Sequence, residues 1–458
     1  MNGDSPSETG ADVPSGRAAG TPPLTQRPTS EPTAPHEPSR RAEPNSSEAA
    51  ASPPKAGTWR YTFSSLSNPD FRFLWFGLLL LMGGMQMQMI ARGYLTYELT
   101  ASPFLLGLVN AGFALPMLGL ALFGGAIADR MERKRVIQLG QAGAGFIALF
   151  VAVSISMGVV SWYHLLLASM FQGVIFSFLM PARQAIIPQL VGQENLTNAM
   201  ALNAAAMSVT TLVAPTVAGT LYAWIGPAEV YYLIAVFGFG SVVLTGFIRK
   251  IDGGPAKPAV PMMSDIKAGL IYIRGSPIVL VLLLMGLATA LLAMPFRFLM
   301  PVFIVDIYGR GPEALGLMVS VMGAGSLAGS IFIASLGRWR RGLLLIVGSF
   351  LSGIALLMVA LVPMYFVAVG IMVILGLGDA GRQTLNQALI MEEVEDQYRG
   401  RVMSVFMMNF GLMPLGVLPT GVAVQVLGAQ WAIGILAVTL LAFTAIILIT
   451  QRRLRQMA

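Results

Sequence analysis

The 458-residue chain is 55% apolar and only 11% charged, against roughly a quarter charged in soluble domains, which excludes an ordinary water-soluble protein of this length. With no Cys and two His, His36 and His164, thiol catalysis, disulfides, Cys-ligated zinc and a His-rich metal site are excluded too. The formal charge of +7 would suit nucleic acid, but its distribution along the chain suits a membrane surface instead.

Residues 1–58 are rich in Pro, Ser, Thr, Glu and Ala and contain no Phe, Trp or Tyr. Such a composition predicts a disordered tail, expected on the cytoplasmic side. It reads either as a solvated tail without a site or as a regulatory or docking arm. No apolar core lies near Met1, so it is not a secretory signal.

The first hydrophobic span follows the helix-start signal Ser67-Asn68-Pro69 and runs from about Phe73 to Leu99. Further apolar runs follow at about 104–127, 136–157, 162–183, 199–222 and 230–248. A second set lies at about 278–304, 313–336, 343–362, 364–386, 402–425 and 431–450. Each is long enough to cross ~30 Å of hydrocarbon. The expected fold is therefore an all-α polytopic membrane protein with twelve transmembrane helices.

Basic residues give the orientation. Arg130, Arg133, Lys134 and Arg135 follow the second span; Arg249, Lys250, Lys257, Lys267 and Arg274 fill the middle connection; Arg338, Arg340 and Arg341 precede the ninth; Arg399 and Arg401 precede the eleventh; Arg452, Arg453 and Arg455 close the sequence. The other connections carry almost none, Arg310 excepted. Lys and Arg are retained on the cytoplasmic side, so both termini are expected there, in a cell membrane.

The two sets of spans resemble each other. Ser102-Pro103-Phe104-Leu105-Leu106-Gly107-Leu108 reads against Gly311-Pro312-Glu313-Ala314-Leu315-Gly316-Leu317, an offset of about 209 residues. Pro69 matches Pro277, Arg92 matches Arg297, and Arg183-Gln184 matches Arg382-Gln383. A duplicated transporter has this signature. The expected organisation is a six-helix bundle over 59–248, a cytoplasmic linker over 249–276 and a second bundle over 277–458. Within the linker, Ser264–Arg274 predicts a short amphipathic helix on the inner surface.

After the second span comes Gly125-Ala126-Ile127-Ala128-Asp129-Arg130-Met131-Glu132-Arg133-Lys134-Arg135. This resembles the loop signature of the major facilitator superfamily, with Glu132 where the family usually has a second Gly. Pro181-Ala182-Arg183-Gln184-Ala185-Ile186-Ile187-Pro188-Gln189-Leu190-Val191 and Tyr398-Arg399-Gly400-Arg401-Val402-Met403-Ser404 resemble the enterobactin-exporter and macrolide-efflux branch. The resemblance covers about residues 65–455. It implies two bundles that rock about a central cavity, and a cytoplasmic latch of Gly125, Asp129, Arg130, Arg133, Arg183 and Arg401. In that latch Asp129 would face the positive end of the eleventh helix near Val402. The alternative is that these arginines serve topology alone.

Ionisable residues within spans are costly and therefore candidates for function. Asp379, in Gly376-Leu377-Gly378-Asp379-Ala380-Gly381-Arg382, is the proton-coupling candidate, with Arg382 beside it. A structural i,i+3 pair is the other reading. Arg92 and Arg297 lie near the outer ends of their spans. They read as boundary anchors that snorkel to water, or as cations at a cavity mouth facing anionic groups, Glu98 or Asp306. Gln86, Asn110, Gln172, Asn386 and Asn409 are further cavity candidates, although interhelical hydrogen bonding is the commoner role for them and for Gln88 and Asn203. Met82, Met85, Met87 and Met89 are either a pliable ligand wall or ordinary packing.

The Gly376–Gly381 stretch fits GxGxxG but sits inside a hydrophobic helix, and no Gly-Lys pair exists for a P-loop. Neither paired carboxylates nor a His cluster marks an intramembrane enzyme. No cofactor is expected and no nucleic acid. The expected function is a secondary active, proton-coupled exporter of a small amphiphilic molecule such as a drug, siderophore or secondary metabolite. An importer or uniporter of a polar nutrient is the alternative. The expected partners are that small molecule, protons and the lipid bilayer, with the chain acting as a monomer.

Overall fold

A computed structural model describes residues 63–128, 132–249, 262–337 and 340–457. Outside them lie the 1–58 tail, Asp129 and Arg130 of the candidate latch, and Lys250, Lys257 and Arg338 of the basic set.

The described residues are helical almost throughout. The first six spans are α1 (Pro69–Thr100), α2 (Pro103–Ala128), α3 (Arg133–Ser156), α4 (Trp162–Gly192), α5 (Glu194–Ile225) and α6 (Pro227–Gly246). The short α7 (Met262–Gly275) follows. Then come α8 (Pro277–Ile307), α9 (Pro312–Leu336), α10 (Arg341–Leu361), α11 (Tyr365–Glu393), α12 (Asp396–Leu427) and α13 (Ala429–Thr450), and a last turn, α14 (Arg452–Gln456). All except α7 and α14 are long and apolar enough to cross a membrane, twelve among the described residues.

Local chemistry sets the ends. Asn68 Oδ1 accepts from the amides of Asp70 at 2.9 Å and Phe71 at 3.4 Å, with Pro69 opening α1. Asn68 Nδ2 donates to the Leu190 carbonyl at 2.6 Å, which ties that end to α4. Gly226 and Gly428, with φ of 97° and 86°, make the same left-handed turn before α6 and α13.

Two spans are interrupted in ways the apolar runs do not reveal. The regular helix of α8 stops at Leu292 and restarts at Met294, where Pro295 lacks the N–H a continuous helix needs, and it ends in a π-turn over Phe303–Ile307. In α12 the break falls at Leu412, just before Pro414.

The halves meet most extensively through two pairs of helices, α5 on α9 and α2 on α12. Both crossings are built on small residues. A β-carbon at Gly219 would overlap the Pro312 carbonyl oxygen, and one at Gly316 would overlap that of Pro215. At the other crossing a β-carbon at Gly421 would lie 2.9 Å from the Pro103 oxygen, and at Gly107 3.3 Å from that of Val417. Close backbone approach of this kind replaces the hydrophobic drive that lipid cannot supply.

These contacts lie toward one side, here the far face, which carries the turns at Ala101, Gly226, Tyr308 and Gly428. The termini face carries Phe63–Pro69, α7 and α14. On the far side one continuous core joins both halves, including Ile90, Leu106, Ala218, Phe296, Leu315 and Val424. Toward the termini the core divides. One part gathers Phe71, Leu74, Ile137 and Ile186 of the first half, and the other Val279, Leu345, Leu389 and Val402 of the second. Among the described residues, then, the halves are joined on the far face and part toward the termini.

Gly316→Ala and Gly219→Ala are each expected to destabilise the protein by about 1–3 kcal/mol, the usual cost of overpacking. The thermal midpoint in detergent measures this; unchanged midpoints would mean that the crossing tolerates a methyl group.

Candidate functional site

Where the halves diverge, α1, α2, α4, α5, α8 and α12 enclose a cavity of about 270 Å³. Its walls are largely soft and aromatic: Met82, Met85 and Met89 of α1, Phe113, Phe176, Met207, Phe298 and Met413. Met87, the fourth methionine of the α1 series, is buried in the shared core instead. Helical spacing explains the division, because Met82, Met85 and Met89 share one face of α1.

Polar groups interrupt that wall at Gln86, Arg92, Asn110, Gln172, Thr210 and Thr211. Arg92 is 5% exposed. Its Nη1 donates to Gln172 Oε1 at 2.8 Å, and Gln172 Nε2 donates on to Gln88 Oε1 at 2.7 Å. A guanidinium only donates, so Arg92 orients the whole amide chain. Arg92 Nε and Gln88 Nε2 remain without acceptors. Gln86 Nε2 donates to Thr211 Oγ1 at 3.1 Å, and Asn110 Nδ2 to the carbonyls of Leu106 at 3.0 Å and Phe298 at 3.4 Å.

Of the two readings of Arg92, boundary anchor or cavity cation, its place in the cavity wall departs from the first. Its side chain turns inward, where Gln172 of α4 offers an oxygen that lipid does not. Arg297 is half-buried and lines a small adjoining pocket of about 20 Å³ with Met89, Asn110 and Phe298. It too keeps its Nε without an acceptor and lies within electrostatic reach of Asp379. Neither arginine faces Glu98 or Asp306 as an ion pair. Those carboxylates accept instead from Tyr222 Oη at 2.6 Å and Tyr97 Oη at 2.5 Å. The Tyr97–Asp306 bond joins the ends of α1 and α8, and so bridges the halves at the far face.

A second, smaller cavity of about 40 Å³ lies within the second half, lined by Thr289, Asp379, Arg382, Gln383, Asn386 and Asn409, among others. The Asp379–Arg382 i,i+3 pair forms as the spacing predicts, with Arg382 deeply buried and Asp379 partly open. Arg382 Nε and Nη1, Asn386 Oδ1 and Asn409 Nδ2 all lack partners. Asp379 and Arg382 thus sit together with Asn386 and Asn409, apart from the Arg92 cluster.

The latch candidates are only partly described. Gly125 falls in the last turn of α2; Asp129 and Arg130 lie outside the described residues. Arg133 Nη1 donates to the Ala185 carbonyl at 2.9 Å, and buried Arg183 donates to Asn203 Oδ1 at 2.8 Å while its Nε has no acceptor. Glu132, the departure from the family loop, pairs with Arg135 at 2.9 Å. Arg401 stacks over Tyr398, 5.5 Å from the ring centre, and Tyr398 stacks on Tyr272 of α7 at 4.5 Å. The predicted amphipathic helix therefore exists and docks on the start of α12.

Sequence reasoning missed the far-face tyrosines and the cavity phenylalanines. Tyr97 and Asp306 are 209 residues apart, the offset of the internal repeat, so pairing equivalent positions across the halves would have found them.

The profile of the transmembrane secretion effector family matches residues 60–458. This chain belongs to that family, within the major facilitator superfamily. Macrolide efflux protein A of Streptococcus pyogenes is 28% identical over 334 residues, 70% of this chain and 80% of that protein. The enterobactin exporter of Shigella boydii serotype 18 is 28% identical over 302 residues, 64% and 71% of the two chains. Among solved structures the nucleoside transporter NupG superposes with a TM-score of 0.70 at 14% identity, covering 84% of this chain and 99% of that one, a likeness of fold. The secretion effector is thus a multi-pass transporter of the cell membrane with the major facilitator fold.

Gln172→Leu removes the one side-chain acceptor of Arg92 among the described residues. A lost hydrogen bond to a charged group predicts destabilisation of about 1.5–3 kcal/mol, larger than for Gln86→Leu at the cavity wall. Thermal unfolding of the two variants side by side checks the order.

Proposed function

We propose that this transmembrane secretion effector is a proton-driven exporter of small amphiphilic molecules that works by alternating access. The observation that carries this reading is the division of the core, one shared body at the far face and two separate ones toward the termini, with the 270 Å³ cavity at the fork. A molecule that is closed on one side and parted on the other is built like one state of a rocking carrier.

The basic residues support a cytoplasmic termini face. Arg310 is the only Lys or Arg in the described far-face connections, whereas Arg133, Lys134, Arg135, Arg341, Arg399 and Arg453 crowd the other side. The state seen would then load cargo from the cytoplasm. Methionine and phenylalanine walls suit the apolar body of a drug or secondary metabolite, since thioether side chains adapt to many shapes. Export is also what the names of the macrolide and enterobactin relatives describe.

Closing the cytoplasmic side would engage the latch of Gly125, Asp129, Arg130, Arg133, Arg183 and Arg401. The orphaned Nε of buried Arg183 supports a partner that arrives only in that state. For energy coupling Asp379 is the candidate, a carboxylate lining a small cavity and held by Arg382. Taking a proton would release Arg382 and change the charge of the second half by one unit.

Two outcomes test this reading. Asp379→Asn in proteoliposomes is expected to abolish gradient-driven accumulation of an exported dye while downhill exchange persists. Wild-type driven rates in that variant would remove Asp379 from coupling. Tyr97→Phe removes one far-face bond to a carboxylate, worth about 1.5–3 kcal/mol. It should therefore raise outside labelling of a thiol introduced into the cavity roughly tenfold or more; unaltered labelling would deny that bond a gating role.

A further inference from the structure

Among the described residues the wall of the 270 Å³ cavity contains no Asp or Glu, and its one ionisable residue is Arg92. The adjoining pocket likewise has Arg297 as its one ionisable residue. Among the described residues neither guanidinium lies within ion-pair distance of a carboxylate. Arg382, equally buried, shows what a compensated arginine looks like in this molecule, because Asp379 is bound to it. Arg92 has a neutral amide in place of that carboxylate, and its Nε, like that of Arg382, has no acceptor. The acids that could have served it, Glu98 and Asp306, are engaged by Tyr222 and Tyr97 at the far face.

A buried cation without a counter-ion is costly, and the cost falls when an anion arrives. A cationic cargo in the same cavity would meet like charge with no carboxylate in the described wall to offset it, Asp379 acting on Arg297 from the neighbouring cavity. We infer that the cargo carries an acidic group, a carboxylate or sulfonate on an apolar body, and that Arg92 receives it with Arg297 adding attraction alongside. The soft methionine and phenylalanine wall would take the apolar body. The inference rests on the exporter reading for what happens to the cargo next, but not for how the cargo is recognised.

The absence of Cys from the chain permits a direct test on the full-length protein. Met207 lines the cavity and is half exposed, so Met207→Cys places a single thiol there. Its labelling by a sulfonate-bearing and a trimethylammonium-bearing methanethiosulfonate is measured in detergent, each rate divided by that of a free thiol. In this reaction the thiolate attacks the thiosulfonate sulfur, forms a mixed disulfide and releases methanesulfinate. The expected result is a sulfonate preference that falls roughly tenfold in Arg92→Gln, the size of one charged interaction. It should persist in Arg92→Lys, which keeps the charge, and fall by a smaller factor in Arg297→Gln. Equal normalised rates, a faster cationic reagent, a thiol silent to both, or a preference that Arg92→Gln leaves intact would each overturn the inference. No gradient or transport enters the measurement. Loss of proton-driven efflux with the preference intact would therefore count against the exporter reading alone.

Discussion

Inside hydrocarbon no water completes a backbone hydrogen bond, so a spanning segment outside a closed barrel must be helical and helices must hold one another by close contact. The crossing of α5 and α9 is where this constraint decides the shape. Gly219 and Gly316 admit the backbones of Pro312 and Pro215, and Thr216 N adds a hydrogen bond to Ser320 Oγ at 3.1 Å across the same crossing. The halves are drawn together there and, through α2 and α12, at the matching place on the other side. Everything nearer the termini diverges from those two crossings, and the cavity is the consequence.

Duplication explains the skeleton, but the polar interior has diverged between the copies. Arg92 and Arg297 occupy equivalent places, as do Arg183 and Arg382. The position equivalent to Asp379 in the first half is Met180. The first half therefore holds Arg183 on an amide, Asn203, where the second holds Arg382 on a carboxylate. At the other equivalent pair, Arg92 donates to the amide of Gln172, and neither Arg92 nor Arg297 is ion-paired among the described residues.

The architecture was legible because span length and the repeat are set by the bilayer and by duplication, and each leaves a mark tens of residues long. The Asp379–Arg382 pair was legible for a local reason, the i,i+3 spacing of one helix. The surroundings of Arg92 were not. Depth along a span can be counted from the chain, but the side toward which a residue turns depends on Gln172, 80 residues away. The breaks in α8 and α12 had visible causes in Pro295 and Pro414, yet proline within a span does not by itself say whether the helix kinks or stops. Arg401 was placed in a latch by motif, whereas its observed stacking on Tyr398 depends on α7 arriving from the linker.

The separation of the two charged sites has an energetic consequence for an exporter of anions. Moving one charge across a membrane is worth about 2.3 kcal/mol per 100 mV. With the inside negative, an anion leaving and a proton entering both gain from the potential, so exchange of one for the other would gain about twice that amount. The difficulty is local. A proton taken up by Asp379 makes its neighbourhood more positive, which would tighten rather than release an anion bound beside it. The polar contacts of Arg92 all lie in the first half, on Gln172 and through it Gln88, while Asp379 is held by Arg382 in the second. Two sites in one cluster would bind proton and anion together, and export would work against the proton gradient. Keeping the direct contacts of the two sites in separate halves leaves Arg297, within electrostatic reach of Asp379, as an electrostatic link between them, and so limits how far a proton strengthens the grip on the cargo while it acts on the conformation.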